Sequence, residues 1–243
     1  MISCIARAAC LVLALLTGTA SSMAGDLAEF NAALESVSSF NRVAIGYLRT
    51  GNTDLASIEI DNMRNAWGKF TARFAGRRPD AFDGNPRYPL LFTGVSTDLV
   101  AADLMLKSGR AEAARQSLDA IRGDFYDLRK ASGIVVLADC VRDANAAMDA
   151  LMVYNDRALD WSKPETRFGI ANKASIYGYA LDRCDGMAAE PVREAPEFRR
   201  LVDGAKAGLA LIPKAIATRD TDLLHRVLIE LRSFDNLMAF RFG

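Results

Sequence analysis

The chain holds a single histidine, His225, and that limits its chemistry. A serine or cysteine nucleophile activated by imidazole would need it, as would most zinc and di-iron sites. It sits early in a C-terminal helical segment, on the side away from the apolar stripe, which reads as a surface histidine. The sharper reading is a b-type haem held by His225 and a methionine pointing into a helical bundle. Met63, Met105, Met148, Met152, Met187 and Met238 raise a soft metal such as Cu(I). Met63, Met105 and Met238 fall on stripes otherwise filled by Leu, Ile or Phe, so core filling accounts for them. Met148 and Met152, one helical turn apart, stand with His225 as the metal candidates.

Arg64, Arg122 and Arg232 recur at one offset in a repeated helical hairpin, each at the edge of the apolar stripe. In that place an arginine snorkels over apolar surface or pairs with a neighbouring helix. The alternative is that the three line a pocket for an anionic ligand. Arg77-Arg78 and Arg193, Arg199 and Arg200 cluster in two equivalent connections. They read as solvated loop charge or as a surface for a protein partner. There is no phosphate-binding glycine loop, no HExxH and no paired-cysteine metal motif, and the residues require no cofactor.

The first 24 residues read as an export signal. Arg7 opens it, Ala8 to Leu16 is apolar, and Ser22-Met23-Ala24 is a small-x-small cleavage site. The apolar run is short for a membrane span, and Cys10 does not follow it, so it is not a lipoprotein cysteine. The expected product is soluble and exported, with no integral membrane segment. A periplasm fits best, because no N-x-[ST] site and no dense cysteine framework is present. Lys plus Arg and Asp plus Glu both number 30, and this neutrality argues against nucleic acid as a partner.

Cys140 and Cys184 remain after signal removal, and an even pair in an exported chain points to a disulfide. The turn between their helices centres near residue 162, so the two lie equally far from it and face each other in an antiparallel hairpin. Small neighbours, Ala144, Gly178 and Ala180, let the helices approach. Buried free thiols, or a redox or metal site, are the alternatives.

The elements that must position these residues are helices, given a composition rich in Ala, Leu, Arg and Asp. The clearest hairpin runs from Leu104 to Leu128 and turns at Gly109. The stretch from Ile212 to Met238 aligns with it without a gap: Gly109 meets Arg219, Leu118 meets Leu228, Ile121 meets Leu231 and Arg122 meets Arg232. Three-four spacing predicts a first helix over 28–48 with Phe30, Ala33, Val37, Phe40, Ala44 and Tyr47 inward. A second carries Ala56, Ile60, Met63, Trp67, Phe70 and Phe74 after an Asn52 N-cap. A long connection with Pro79, Pro86 and Pro89 precedes helices over 95–107 and 111–131. The pattern then repeats: helices over 134–158, from a Ser162–Glu165 capping box to Cys184, over 197–217 with a break at Pro213, and over 222–240. At an offset of 110 residues the punctuation also matches, Gly76 with Gly186 and Pro86 with Pro196. The fold class expected is all-α, as two tandem up-down four-helix bundles over 25–133 and 134–243. A helical-repeat solenoid is the alternative, though the Pro-rich connections break its period.

Helix-turn-helix, a long Pro and aromatic connection, then helix-turn-helix resembles the cytochrome c prime family. That family attaches haem near the end of its fourth helix through CxxCH. The matching stretches are Ile121-Arg122-Gly123-Asp124-Phe125 and Leu231-Arg232-Ser233-Phe234-Asp235, which lack both cysteines and the histidine. Neither thioether attachment nor a proximal ligand is available there. The resemblance implies an up-down bundle with one crossover and carries over neither electron transfer nor gas binding. The function expected is that of an exported, non-enzymatic accessory protein binding another periplasmic protein or a small ligand. The alternatives are a carrier of noncovalent haem or copper, and an enzyme whose site the sequence hides.

Overall fold

The structure, a computed structural model, describes residues 5–156 and 158–243, with side chains from Gly25 onward. The expected export signal, residues 1–24, therefore lies outside the residues described in full. All regular structure among the described residues is helical. The helices gather into two compact units, Met1–Ile134 and Val135–Gly243, each with its own apolar core.

The first unit contains α1 (Ile5–Arg49), α2 (Thr53–Phe74), α3 (Arg87–Lys107) and α4 (Ala111–Ala131). α1 packs on α2 and α4, and α3 packs on α4 and α2. The α2 stripe buries all six residues its spacing predicts. In α1 the inward face is instead Phe30, Leu34, Val37, Asn41, Ala44 and Leu48, while Ala33, Phe40 and Tyr47 are partly covered. Asn41 moves the phase: fully buried, it donates to the Leu118 carbonyl of α4 at 3.0 Å. Phe30 is enclosed by the rings of Phe70, Phe74 and Phe82, with centroids 4.7–5.2 Å away. Each such pair adds about 0.5–1.5 kcal/mol beyond area burial.

α3 starts at Arg87, eight residues earlier than expected, because Pro89 falls in the first turn, where a missing N–H costs nothing. Asn85 ties that start down. Its Oδ1 accepts from the Arg87 N–H, and its Nδ2 donates to the Leu128 carbonyl and to Ser132. Tyr88 donates to the Phe74 carbonyl at 2.7 Å. Burial pushes its hydroxyl up to about 12, against a small lowering from Arg78. Among the described residues α3 is also the one helix long and apolar enough to cross a membrane. Its Leu91, Val95, Leu99 and Ala102 face is buried within the unit.

The second unit contains α5 (Leu137–Met152), α6 (Pro164–Met187), the single-turn α7 (Glu190–Arg193), α8 (Pro196–Leu209), α9 (Ile212–Thr218) and α10 (Thr221–Phe242). α5 packs on α6 and α10, α8 on α10 and α6, and α9 on α6 and α10. The expected helix over 197–217 is two helices, parted at Ala210-Leu211 because Pro213 cannot continue the hydrogen-bond ladder. Asp220 caps α10, its side chain accepting from the Leu223 N–H at 2.8 Å. The expected caps at Asn52 and Ser162 do not form: Asn52 makes no side-chain cap bond, and Ser162 donates to Asp160 instead.

Candidate functional site

Cys140 of α5 and Cys184 of α6 are joined in a disulfide, with Cα atoms 5.5 Å apart. Both are fully buried. The bond closes the hairpin opposite the α5–α6 turn, a structural position with no access for a redox partner.

The three recurring arginines do not share a pocket. Arg64 of α2 reaches Asp61 at 2.5 Å and Asp103 of α3 at 3.4 Å. Arg122 of α4 lies 3.6 Å from Asp119. Arg232 of α10 bonds Asp149 of α5 at 2.6 Å and the buried Asp235 at 3.0 Å. Asp235 also accepts from Asn145 at 2.8 Å, so its buried charge is compensated on both oxygens. Arg77 and Arg78 pair with Asp26 and Asp83, and Arg199 pairs with Asp185. Burial pushes the Asp185 carboxyl up, but the hydrogen bonds and charges of Arg199 and Lys206 outweigh it and hold it below the usual carboxylate range.

His225 is half-buried, with Nδ1 2.6 Å from Asn155 Oδ1. Met148 is enclosed in the core of the second unit and Met152 packs against that core. Among the described residues no group of three or more His, Cys, Asp and Glu side chains converges as metal ligands would.

A carboxylate pair sits between α3 and α4. Asp98 is pushed up by burial and by the charge of Asp124, and Asp124 by burial and by Asp127, with Arg87 pulling it back. Asp124 lies over Gly94, where a Cβ would stand 2.8 Å from its carboxylate oxygen.

An apolar groove of about 600 Å³ lies between α6 and the α8–α9 break. Small residues of α6, Ala171, Ala174, Ser175 and Gly178, form one wall, and Leu209, Ile212, Pro213 and Ile216 form the other. Lys206 stands at its edge, bonded to Asp182 at 2.8 Å and Asp185 at 3.1 Å. Beside it α6 exposes Phe168 at 74% and Tyr179 at 71%. A second hollow of about 530 Å³ between α1 and α2 is lined by Asn62, Asn65, Lys69 and Arg73 among others.

The first unit shows what fills the groove's seam elsewhere. At the 110-residue offset, Ala171, Ala174, Pro213 and Ala217 correspond to Asp61, Arg64, Asp103 and Lys107. Those four form one ion-pair chain across α2 and α3, with Lys107 2.8 Å from Asp103. All four charges are absent from the second unit, and all four replacements line the groove. The groove leaves no motif in the sequence because it consists of missing side chains. The aligned copies carried its signal in those four charged-to-apolar differences.

Compared with known protein families, curated proteins and solved structures, the chain has no significant match.

Proposed function

We propose that the chain is an exported, non-catalytic binding protein made of two four-helix bundles in tandem, with the α6–α9 groove of the second bundle as its working surface. One observation carries this reading: an ion-pair chain that closes the seam in one unit is replaced at every position by apolar residues that open it in the other. Concave, largely apolar sites with a few polar groups at the edge are the usual form of a binding pocket. The matched turns and connections favour duplication over a solenoid, and the polar residues beside the groove are held in ion pairs rather than set out as an acid and a base.

The test moves the first unit's bridge into the second. The double variant A174R/P213D is expected to close the groove and weaken binding of anilinonaphthalene sulfonate by about tenfold or more, a loss of about 1.4 kcal/mol. Unchanged probe affinity in a folded variant would remove the groove from the proposal. Turnover abolished by replacing one polar side chain would overturn the non-catalytic reading.

A further inference from the structure

Resting on the groove as the working surface, we propose that its occupant is a second copy of this chain, with the two α6 helices packed antiparallel about a two-fold axis near Ser175. Phe168 and Tyr179 are eleven residues apart, three helical turns, so they stand on one face of α6. They are the two most exposed aromatic rings described in the second unit. Directly beside them on the same helix lie the small residues of the groove wall, Ala171, Ser175 and Gly178. A ridge and a hollow side by side on one surface satisfy each other when that surface meets itself across a two-fold axis. With the axis at the level of Ala174, Phe168 of one copy arrives at the level of Ala180 of the other, next to the Gly178 end of the groove wall, and Tyr179 at the level of Gly169, next to its Ala171 end. A small ligand would fill the groove and leave both rings in water.

Charge selects the same register. Glu165 lies in the first turn of α6 and Arg183 near its last turn, on the same face as the aromatic ridge. Antiparallel pairing centred on Ala174, next to Ser175, sets Glu165 of each copy opposite Arg183 of the other, giving two identical ion pairs at the two ends. A parallel pairing would oppose like charges. Arg183 leans on Asp143 at 3.1 Å, yet its side chain remains 39% exposed and open to a second carboxylate.

Sedimentation velocity on the full chain between about 1 and about 100 μM tests the proposal across the range of weak specific affinities. A concentration-dependent dimer is expected. Tyr179→Glu and Glu165→Arg should each raise the dimer Kd by tenfold or more, and the double variant E165R/R183E should recover most of the Glu165→Arg loss. Ser175→Cys, next to the axis, should cross-link two copies on mild oxidation, whereas Ile229→Cys on α10 should not. A dimer indifferent to Tyr179→Glu and Glu165→Arg would overturn the proposal. A monomer throughout that still binds anilinonaphthalene sulfonate in the groove would overturn it while leaving the binding reading intact. A monomer with no probe binding would end both.

Discussion

Cys140 and Cys184 are bonded at the two positions that, at the 110-residue offset, belong to Phe30 and Phe74, whose rings meet edge to face with centroids 5.2 Å apart. The same helix–helix contact is thus made covalently in one unit and by aromatic packing in the other. The surroundings follow. The first unit gathers Phe70, Phe82 and Tyr88 around its pair, while in the second the Cys140 sulfur lies 3.8 Å from the carbonyl of Ala180, the small residue that the offset puts in the place of Phe70. A disulfide holds two helices together with little side-chain volume, and small residues can then surround it.

Replacing both cysteines by alanine should therefore weaken the second unit and spare the first. The bridge spans 44 residues, and the chain-entropy model assigns about 4 kcal/mol to closing a loop of that length. The two tryptophans report separately, Trp67 from the first unit and Trp161 from the second. In urea, the transition seen by Trp161 alone should move to lower concentration. An equal shift at Trp67 would contradict the assignment.

Arg219 and Gly109 make the same turn. Arg219 has φ +55° and Gly109 φ +74°, and both deliver the next residue's N–H to a carbonyl five residues back. A side chain in this left-handed conformation costs about 1–2 kcal/mol, part of which glycine returns through its looser unfolded chain. Arg219→Gly is expected to stabilise the second unit by about 0.5 kcal/mol, and Gly109→Ala to destabilise the first by about 1 kcal/mol. Thermal unfolding of the two variants checks both signs.

The α2 stripe was legible because every inward position from Ala56 to Phe74 is apolar. Apolar spacing alone puts the α1 stripe out of phase, because Asn41 occupies an inward position and its Leu118 carbonyl partner lies 77 residues away. The α3 start is hidden in the sequence because Pro89 has the form of a breaker and behaves as a first-turn residue. The hairpin register placed Cys140 opposite Cys184. The groove depends on which of two similar seams has lost its charges, and single-helix periodicity holds no trace of that.

The Asp98–Asp124 pair gives the first unit a pH dependence with a definite sign. Both carboxyls are raised in the folded chain, so folding favours their protonated forms. Their contribution is fully present below the unfolded carboxylate value near 3.8 and is lost as pH rises through the raised folded values. Asp98→Asn should then stabilise the first unit at pH 7 and have little effect near pH 3.5. The gain should stay below about 1 kcal/mol, since both groups keep contact with solvent. Urea midpoints at the two pH values decide it, and a larger effect at the acid end would reverse the argument.

Gly94 on α3 and Gly204 on α8 each lie beneath a side chain of the unit's last helix, and the two covering groups differ in whether they can move. A Cβ at Gly204 would come within 2.6 Å of the Phe234 ring, with two more ring atoms at 2.9 and 3.1 Å. The ring is packed against the core and must shift as a whole. Forcing such a shift costs about 1–3 kcal/mol, against roughly 1 kcal/mol gained by replacing a mid-helix glycine with alanine. Gly204→Ala is therefore expected to lose about 1 kcal/mol, and Phe234→Leu in the same chain to recover part of it. At Gly94 the covering atom is the tip of the Asp124 carboxylate, which can swing toward water. There the helix-propensity gain should win, and Gly94→Ala should stabilise by up to about 1 kcal/mol. Measured side by side, opposite signs at two equivalent glycines would show that the covering side chain, and not the backbone, sets the outcome.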